Sequence, residues 1–157
     1  TGVQTCALPI YEGGSYSKEE LLDFASEKIK EYNEANGTES SKEPVTLVSG
    51  SLEKGKAVLI TSYDSGESLV DFASEIGDDT MPFTEIKTGT PKELSEDLKA
   101  AGVDYEAALA TGSFAVVLQG EGMVQTEADL LDADGGCDVH DGHFIKTGSG
   151  TSVIVTK

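Results

Sequence analysis

The sequence predicts an α+β domain, with an N-terminal helix and a second capped helix packed on a mainly antiparallel sheet that can curl into a partial barrel. Two helix starts are strongly signalled, at Ser17 and at Thr90, and each is followed by apolar residues at helical spacing. From Ser113 to Lys157 the pattern changes to short β-type runs separated by glycines. This second pattern is typical of an antiparallel meander, whereas alternating βαβ units would predict a parallel sheet.

Residues 1–10, TGVQTCALPI, are interpreted as a translated sequencing adapter, because the string matches one reading frame of a common adapter oligonucleotide throughout. Segments of this kind are set aside before a fold is inferred. The interpretation implies that the native N-terminus is missing, together with any signal peptide. It also implies that residues 1–10 contribute little to the core, with Cys6 unpaired with Cys137. The alternative is a short native strand with apolar side chains at Val3, Ala7, Leu8 and Ile10.

Residues 11–16 (YEGGSY) predict a flexible linker, and residues 17–157 predict a single domain. The first helix begins at Ser17, which forms a capping box with Glu20, and it ends at Gly37, where a left-handed residue is expected. Its apolar stripe consists of Leu21, Leu22, Ala25, Ile29 and Tyr32.

The next part of the chain predicts a hairpin, a short helix and a strand. Residues 45–48 and 56–63 are two β-type runs, and a turn is expected over residues 50–55. Residues 67–76 (ESLVDFASEI) repeat the string DFASE of the first helix and predict a second, short helix. Residues 83–88 alternate like a strand.

A further helix is predicted from Thr90, with Thr90 as the N-cap, Pro91 at the first helical position and Glu93 in the first turn. Gly102 ends this helix, and Asp104 caps another short turn of helix that Gly112 closes. Five β-type runs follow, at residues 114–118, 123–126, 129–131, 144–147 and 152–156.

The chain is strongly acidic, because 29 Asp and Glu residues against 11 Lys and Arg residues give a formal net charge of −18. This charge repels phosphate backbones and anionic membrane surfaces, so we expect no nucleic acid partner. It also attracts cations. No apolar run approaches the roughly 20 residues that span a bilayer. One cysteine beyond residue 10, Cys137, provides no disulfide framework.

Candidate metal ligands are concentrated in residues 127–143, EADLLDADGGCDVHDGH. The segment contains six acidic residues and both histidines of the chain, and no basic residue. Carboxylates this close repel one another, and a bound cation would relieve the repulsion. The candidate ligands are Asp132, Asp134, Asp138, His140, Asp141 and His143.

A calcium loop is one interpretation of this segment. Asp132, Asp134 and Asp138 surround two glycines, and alternating carboxylates with a glycine bend are typical of calcium loops. The order of ligands departs from that of an EF-hand, and no glutamate closes the ring.

Zinc or another transition metal is the second interpretation, with Cys137, His140 and His143 as ligands beside Asp138 or Asp141. It requires a type I′ turn at Asp141-Gly142, which would make the two histidines cross-strand neighbours. The third interpretation is a solvated hairpin tip whose polar residues serve turn formation and solubility.

Catalytic patterns have little support. The chain contains no GxSxG motif, and Gly148–Gly150 lacks the lysine and the following helix of a phosphate-binding loop. Cys137 lies among carboxylates, which disfavour its thiolate. No tryptophan is present to stack on sugar rings. The sequence therefore favours a protein that is not an enzyme and requires no cofactor.

A Gly/Ser linker (GGSY, 13–16) leads into a helix that starts SKEEL (17–21), and the chain closes with CDV (137–139), DG (141–142) and a SVIVTK strand. In this layout the chain resembles the small, largely uncharacterised lipoproteins exported by Gram-positive gut bacteria of the clostridial class. The resemblance implies an exported domain tethered by an upstream lipidated cysteine, an anchor lost with the native N-terminus. It assigns no functional residue.

The favoured function is a non-enzymatic, extracytoplasmic domain, at the cell surface or secreted, that binds an unknown ligand or envelope component. The alternative is a metal-binding protein that uses residues 127–143 for calcium or zinc, either structurally or in a hydrolytic site. An intracellular mimic of nucleic acid is disfavoured, because it predicts disordered acidic runs instead of glycine-punctuated strands. The ligand and the oligomeric state stay open.

Overall fold

The computed structural model describes residues 3–7, 17–37, 43–53 and 56–157. Its helices are α1 (Lys18–Asn36), α2 (Gly66–Glu75), α3 (Ser95–Ala101) and α4 (Tyr105–Thr111). Its strands are β1 (Val3–Ala7), β2 (Val45–Glu53), β3 (Lys56–Tyr63), β4 (Glu85–Gly89), β5 (Phe114–Gln119), β6 (Met123–Gln125), β7 (Leu130–Asp134), β8 (Asp138–His140), β9 (Phe144–Lys146) and β10 (Thr151–Thr156).

The predicted α+β class is confirmed. Every strand pairing in the described residues is antiparallel, and the strands form three sheets ordered β1-β3-β2, β4-β5-β10-β7 and β6-β9-β8. These sheets are open, so the described part of the chain forms no closed barrel. None of its helices is both long enough and apolar enough to cross a bilayer.

The chain divides into two compact units, residues 1–79 and residues 80–157. The first unit contains the β1-β3-β2 sheet with α1 and α2. The second unit contains the other two sheets with α3 and α4. The prediction that residues 17–157 form a single domain stays a prediction.

In the first unit, α1 begins with the predicted capping box. The Ser17 hydroxyl accepts a hydrogen bond from the Glu20 N–H at 3.1 Å, and the Glu20 carboxylate accepts one from the Ser17 N–H at 2.7 Å. The buried face of α1 consists of Ala25, Ile29 and Tyr32. Gly37 follows the helix with an extended backbone at φ −63°, so the predicted left-handed conformation there is wrong.

The hairpin of β2 and β3 is longer than predicted. β2 continues to Glu53, so the turn expected over residues 50–55 is wrong for residues 50–53, and residues 54 and 55 lie outside the described part. Gly50 is part of the strand and pairs with Leu59 of β3, and two leucine side chains occupy the space above it. A Cβ atom at Gly50 would lie 2.4 Å from Leu22 Cδ2 and 2.9 Å from Leu59 Cδ2. The glycine therefore allows close packing and does not form a turn.

The predicted short helix is confirmed as α2, which begins after the N-cap Ser65. The Ser65 hydroxyl accepts from the Ser68 N–H at 3.1 Å. Phe72 is buried between two tyrosine rings, edge-on to Tyr32 at 5.3 Å and tilted against Tyr63 at 6.1 Å. These aromatic contacts connect both helices of the first unit to β3.

Residues 3–7 form β1, which pairs antiparallel with β3 from Val3 opposite Tyr63 to Ala7 opposite Leu59. A strand is the conformation that the alternative interpretation of residues 1–10 predicts. The pairing does not bear on the origin of the segment, because backbone hydrogen bonds form with any chain that can extend, and the adapter interpretation stays a prediction. The side chains of residues 1–10 are not described, so their expected small contribution to the core stays a prediction. The predicted linker, residues 11–16, also lies outside the described residues.

In the second unit, the C-terminal strand β10 lies in the middle of the four-stranded sheet, between β5 and β7. The order is therefore not that of the predicted meander. The reason is burial, since all five residues from Ser152 to Thr156 are buried, which requires neighbours on both edges and cover on both faces. The core beside this sheet consists of Leu94, Leu98, Val103, Ala108, Ala115, Val117, Val153 and Val155.

The helix predicted with Thr90 as its N-cap begins four residues later, as α3, whose N-cap is Leu94 and whose first residue is Ser95. The cap residues do bond as predicted, because the Glu93 carboxylate accepts from the Thr90 N–H at 2.7 Å and the Thr90 hydroxyl accepts from the Glu93 N–H at 3.3 Å. They close a turn ahead of the helix. Gly102 ends α3 and the Asp104 carboxylate caps α4 through the Ala107 N–H, both as predicted. Gly102 is in the left-handed region, at φ +90°.

Candidate functional site

The acidic segment 127–143 runs from the approach to β7, through β7 and β8, into the turn before β9. β8 was not among the predicted strands. Most of the segment is exposed, and its side chains divide into two groups. One group is bonded to neighbouring backbone at the end of β7, and the other surrounds the β8–β9 hairpin.

Asp132 and Asp134 belong to the first group. The Asp132 carboxylate accepts a hydrogen bond from the Asp104 N–H at 3.3 Å, where α4 begins. The Asp134 carboxylate accepts one from the Gly135 N–H at 2.6 Å. Both carboxylates therefore have a structural role, in joining β7 to α4 and in forming the turn after β7.

The two glycines of the supposed calcium loop are explained by this turn. Gly135 and Gly136 both have φ +80°, a region that disfavours any side chain. At Gly135 a Cβ atom would also lie 2.1 Å from the carbonyl oxygen of Thr151. Close approach of the turn to β10 therefore requires glycine whether or not a cation binds.

Cys137 is a free cysteine beside this turn. Its thiol donates a hydrogen bond to the Asp134 carbonyl oxygen at 3.1 Å. Burial raises the pKa of the Cys137 thiol, and the charge of Asp134 raises it further. The sequence analysis expected neighbouring carboxylates to disfavour the thiolate, whereas burial makes the larger contribution to the raised pKa of Cys137.

The β8–β9 hairpin has a turn with φ +48° at Asp141 and +80° at Gly142. His140 pairs with Phe144 across the hairpin, so the predicted cross-strand pairing of His140 with His143 is wrong. His143 is part of a three-residue loop instead. Its carbonyl oxygen accepts from the Thr126 N–H at 2.9 Å, which extends the contact of this hairpin with β6.

The structure does not gather the predicted metal ligands into one cluster. His140 Nε2 lies 3.5 Å from the Asp138 carboxylate, so these two ligands are neighbours on β8. Within the described residues, no three His, Cys, Asp or Glu side chains are grouped as a metal ion would require. Metal binding by residues 127–143 stays a prediction.

The β6-β9-β8 sheet has an exposed side, here called the outer face. Residues directly opposite one another in antiparallel strands share a face, and successive residues alternate between faces. Val124, Ile145 and Val139 form one cross-strand row. Ile145 is 0% exposed, so this row marks the inner face, although Val139 at the edge strand β8 is 42% exposed. The outer face consists of the two flanking rows, which are Met123, Lys146 and Asp138, and Gln125, Phe144 and His140.

Two large apolar side chains are exposed on the outer face. Met123 is 57% exposed and Phe144 is 39% exposed. They occupy diagonal positions on neighbouring strands, a spacing that long side chains can bridge. Polar side chains flank them, since Gln125 and His140 are the two direct neighbours of Phe144.

Lys146 is held at one end of the outer face by an ion pair. Its Nζ lies 2.8 Å from the Glu121 carboxylate. This hydrogen bond and the attraction between the charges raise the pKa of Lys146 and lower the pKa of Glu121. The apolar part of the outer face therefore lies between this ion pair and the β8–β9 turn.

At the other end, an open depression of about 460 Å³ adjoins the outer face. Phe144 lies on its wall, so the aromatic ring belongs to both features. The full lining is Gln125, Thr126, Glu127, Asp141, His143 and Phe144. A bound group would therefore meet an aromatic side chain, an amide and several acidic or imidazole groups.

Buried hydroxyl groups hold the loops that frame this sheet. The Thr147 hydroxyl accepts from the Gly122 N–H and donates to the Gly120 carbonyl oxygen, both at 2.8 Å. The Ser152 hydroxyl accepts from the Gly148 N–H at 3.0 Å and donates to the Gly135 carbonyl oxygen at 3.2 Å. These bonds keep the start of β6 and the end of β9 in place.

Sequence reasoning placed the site in residues 127–143 and missed Met123, Gln125 and Phe144. The pattern that could have revealed them is the alternation in the runs MVQ and FIK, where the middle residue lies on the inner face and its two neighbours lie on the outer face. Comparison of the chain with protein-family models, with curated proteins and with solved structures gave no match.

Proposed function

We propose that this protein is a non-enzymatic, extracytoplasmic domain of lipoprotein type that binds an envelope component through its outer face. The observation that supports binding is the exposure of Met123 and Phe144 side by side on a β-sheet. A sheet presents its side chains at set positions, and an aromatic ring flanked by hydrogen-bonding groups is typical of binding surfaces.

The energetic reason is the apolar area that the outer face leaves in contact with water. Full burial of a Met or Phe side chain is worth about 1.5–3 kcal/mol. A partner that covers Met123 and Phe144 gains part of this energy from each. Gln125 and His140 then supply hydrogen bonds at the rim, which give orientation and specificity.

The extracytoplasmic location is supported by the acidic composition, the Gly/Ser-rich residues 13–16 and the resemblance to exported clostridial lipoproteins. Its test is the native gene sequence upstream of Tyr11. We expect a signal peptide followed by a cysteine suited to lipidation. A native upstream sequence with neither feature would rule out this location.

Binding is tested with a benzophenone photo-crosslinker introduced as Phe144→p-benzoylphenylalanine. The probe is the membrane and cell-wall fraction of a clostridial Gram-positive bacterium. We expect a discrete crosslinked product, identified by mass spectrometry. The matched control is the same replacement at Leu109, an exposed apolar residue of α4. Equal products from both positions, or none from position 144, would contradict a binding role for the outer face.

Metal binding is a second candidate function, supported by the density of carboxylates and imidazoles in residues 127–143. Glu127, Asp141 and His143 line one open depression, but within the described residues no three such groups lie close enough together to hold one ion. Carboxylates and an imidazole suit calcium or zinc. Calorimetric titration with each ion, before and after Asp132, Asp134, His140 and His143 are replaced by Ala, tests the ligands that the sequence predicts. Separate replacement of Asp141 and His143 tests the depression. A parent protein that binds neither ion more tightly than millimolar would end this candidate.

A further inference from the structure

We infer that the partner of the outer face is an extended, positively charged protein segment with apolar side chains at alternate positions. This inference rests on the proposed binding function and specifies the chemistry of the ligand. It follows from two properties of the surface, the charge around the outer face and the spacing of its apolar side chains.

The surroundings of the outer face are acidic. From residue 121 to residue 146 the only basic residue is Lys146, and its charge is paired with Glu121 at 2.8 Å. The acidic residues of the same stretch are Glu121, Glu127, Asp129, Asp132, Asp134, Asp138 and Asp141.

Two of these acids lie near the exposed apolar side chains, although Lys146 on β9 separates Asp138 from Met123. Asp138 belongs to the outer face in the row of Met123, and Asp141 lines the depression beside Phe144. A cationic partner lowers the electrostatic energy of this surface, whereas an anionic partner raises it. The charge therefore selects a segment rich in Lys or Arg.

The apolar spacing favours an extended conformation of this segment. Diagonal positions on neighbouring antiparallel strands are about 7–8 Å apart. Residues i and i+2 of a strand are about 6.6 Å apart, since each residue advances the chain by about 3.3 Å. Alternate apolar residues of an extended segment can therefore contact Met123 and Phe144 together, while the intervening Lys or Arg residues reach the acids.

The test uses fluorescein-labelled heptapeptides and fluorescence anisotropy. The first peptide alternates Lys with Leu and Phe, the second replaces every Lys by Glu, and the third replaces every apolar residue by Ser. We expect saturable binding of the first peptide alone, and weaker binding at 0.3 M than at 0.02 M NaCl because salt screens the charges. Equal binding of the Lys/Ser peptide would overturn the inference, because it would show attraction to net charge alone.

Surface variants locate the binding. Phe144→Ser and Met123→Ser should each weaken binding of the first peptide about tenfold or more, as expected for loss of an apolar anchor. Leu109→Ser, which changes an exposed apolar side chain on α4, should leave the affinity unchanged. Circular dichroism verifies that each variant is folded. If Phe144→Ser and Met123→Ser both bind the first peptide with the affinity of Leu109→Ser, the peptide binds elsewhere and the inference is overturned.

The charge requirement is tested with Asp138→Asn and Asp141→Asn together. We expect this double variant to lose affinity severalfold at 0.02 M NaCl and to differ little from the parent protein at 0.3 M. If no peptide binds and the crosslinker at position 144 still captures an envelope component, this inference is wrong and the proposed binding function stands. If neither occurs, both are wrong.

Discussion

At the scale of the residue, Gly135 and Gly142 have the same backbone conformation in different surroundings. Both have φ +80°. A Cβ atom at Gly142 would have nothing within 4 Å, whereas one at Gly135 would lie 2.1 Å from the Thr151 carbonyl oxygen and 2.8 Å from Ser152 Cα. Gly142 therefore needs only a residue that tolerates positive φ, whereas Gly135 also needs a residue without a Cβ atom.

We therefore predict that Gly135→Ala destabilises the second unit much more than Gly142→Ala. The left-handed conformation costs about 1–2 kcal/mol for a residue with a side chain, which is the whole cost at Gly142. At Gly135 displacement of the backbone of β10 adds about 1–3 kcal/mol. Urea denaturation followed by circular dichroism measures both free energies of unfolding. Equal losses in the two variants would contradict the close approach of Gly135 to β10.

Phe24 and Phe72 occupy the same position of a repeated five-residue string, but only Phe72 is buried. Both are the second residue of the string DFASE, in α1 and in α2. Phe24 is 60% exposed, while Phe72 is 6% exposed. The alanine of the string is buried in both helices, as Ala25 and Ala73, so the two buried faces overlap there and differ at the phenylalanine. The apolar residues that surround the string differ, which shifts the face that packs on the core.

At the scale of the element, the side-chain amide of Asn33 links α1 to the first residue of β2 by two hydrogen bonds. The Asn33 side chain donates from Nδ2 to the Val45 carbonyl oxygen at 2.8 Å and accepts at Oδ1 from the Val45 N–H at 3.0 Å. It thus satisfies both backbone groups of the first residue of β2. Val45 is 0% exposed, so no water can replace the amide there without rearrangement.

Asn33→Ala should destabilise the first unit by about 2 kcal/mol, because two backbone groups lose their partner at a buried residue. Asn36→Ala is the control, since among the described residues the Asn36 amide donates to the Tyr32 carbonyl oxygen of the same helix, at 3.2 Å. Urea denaturation gives the two free energies. Hydrogen exchange should show faster exchange of the Val45 amide in Asn33→Ala alone, and unchanged protection there would refute the prediction.

The turn ahead of α3 predicts a dependence on pH. Hydrogen bonds from the Thr90 N–H and hydroxyl to the Glu93 carboxylate lower the pKa of Glu93 from its ordinary 4.5. A lowered pKa in the folded state means that this carboxylate stabilises the fold above the unfolded pKa. Its contribution is lost as the pH falls through the lowered folded pKa.

Glu93→Gln should therefore reduce stability at pH 7, and the difference from the parent protein should disappear as the solution becomes more acidic than pH 4.5. Urea midpoints measured from pH 7 down to pH 3 follow this change. Glutamine keeps an acceptor oxygen, so the comparison isolates the charge. A difference that is the same at both ends of the range would show that the charge of Glu93 has no such role.

At the scale of the whole molecule, the formal net charge of −18 is the dominant electrostatic property. Charges of one sign repel one another more strongly in a compact chain than in an expanded one. Described ion pairs such as Lys28–Glu31 and Lys30–Glu34 lie on the surface, where each contributes little. We therefore expect self-repulsion to exceed these attractions.

We predict that salt stabilises the protein. An increase from 0.01 M to 0.3 M NaCl shortens the screening length from about 30 Å to less than 10 Å. The melting temperature should rise by a few degrees, as expected for about 1 kcal/mol in a chain of this size. Circular dichroism melts measure the change, and sodium and potassium chloride should act alike. A melting temperature that falls with salt would mean that ion pairs outweigh the net repulsion.

The sequence by itself predicted the α+β class, the N-terminal caps of α1 and α4, the end of α3 at Gly102 and the strand character of β10. These features depend on residues within about four positions of one another or on one continuous apolar run. Ser17 with Glu20 and Asp104 with the Ala107 N–H bond as their spacing requires. Local geometry is sufficient to specify them.

The tertiary structure decided the features that depend on distant neighbours. β2 continues through Gly50, which pairs with Leu59 of β3 and leaves room for the side chains of Leu22 and Leu59. His140 pairs with Phe144, and not with His143, in the register in which Val139 and Val124 flank the buried Ile145. The candidate site changed for the same reason. The segment 127–143 contains its acids, but only the pairing of three short strands places Met123 and Phe144 together on the outer face.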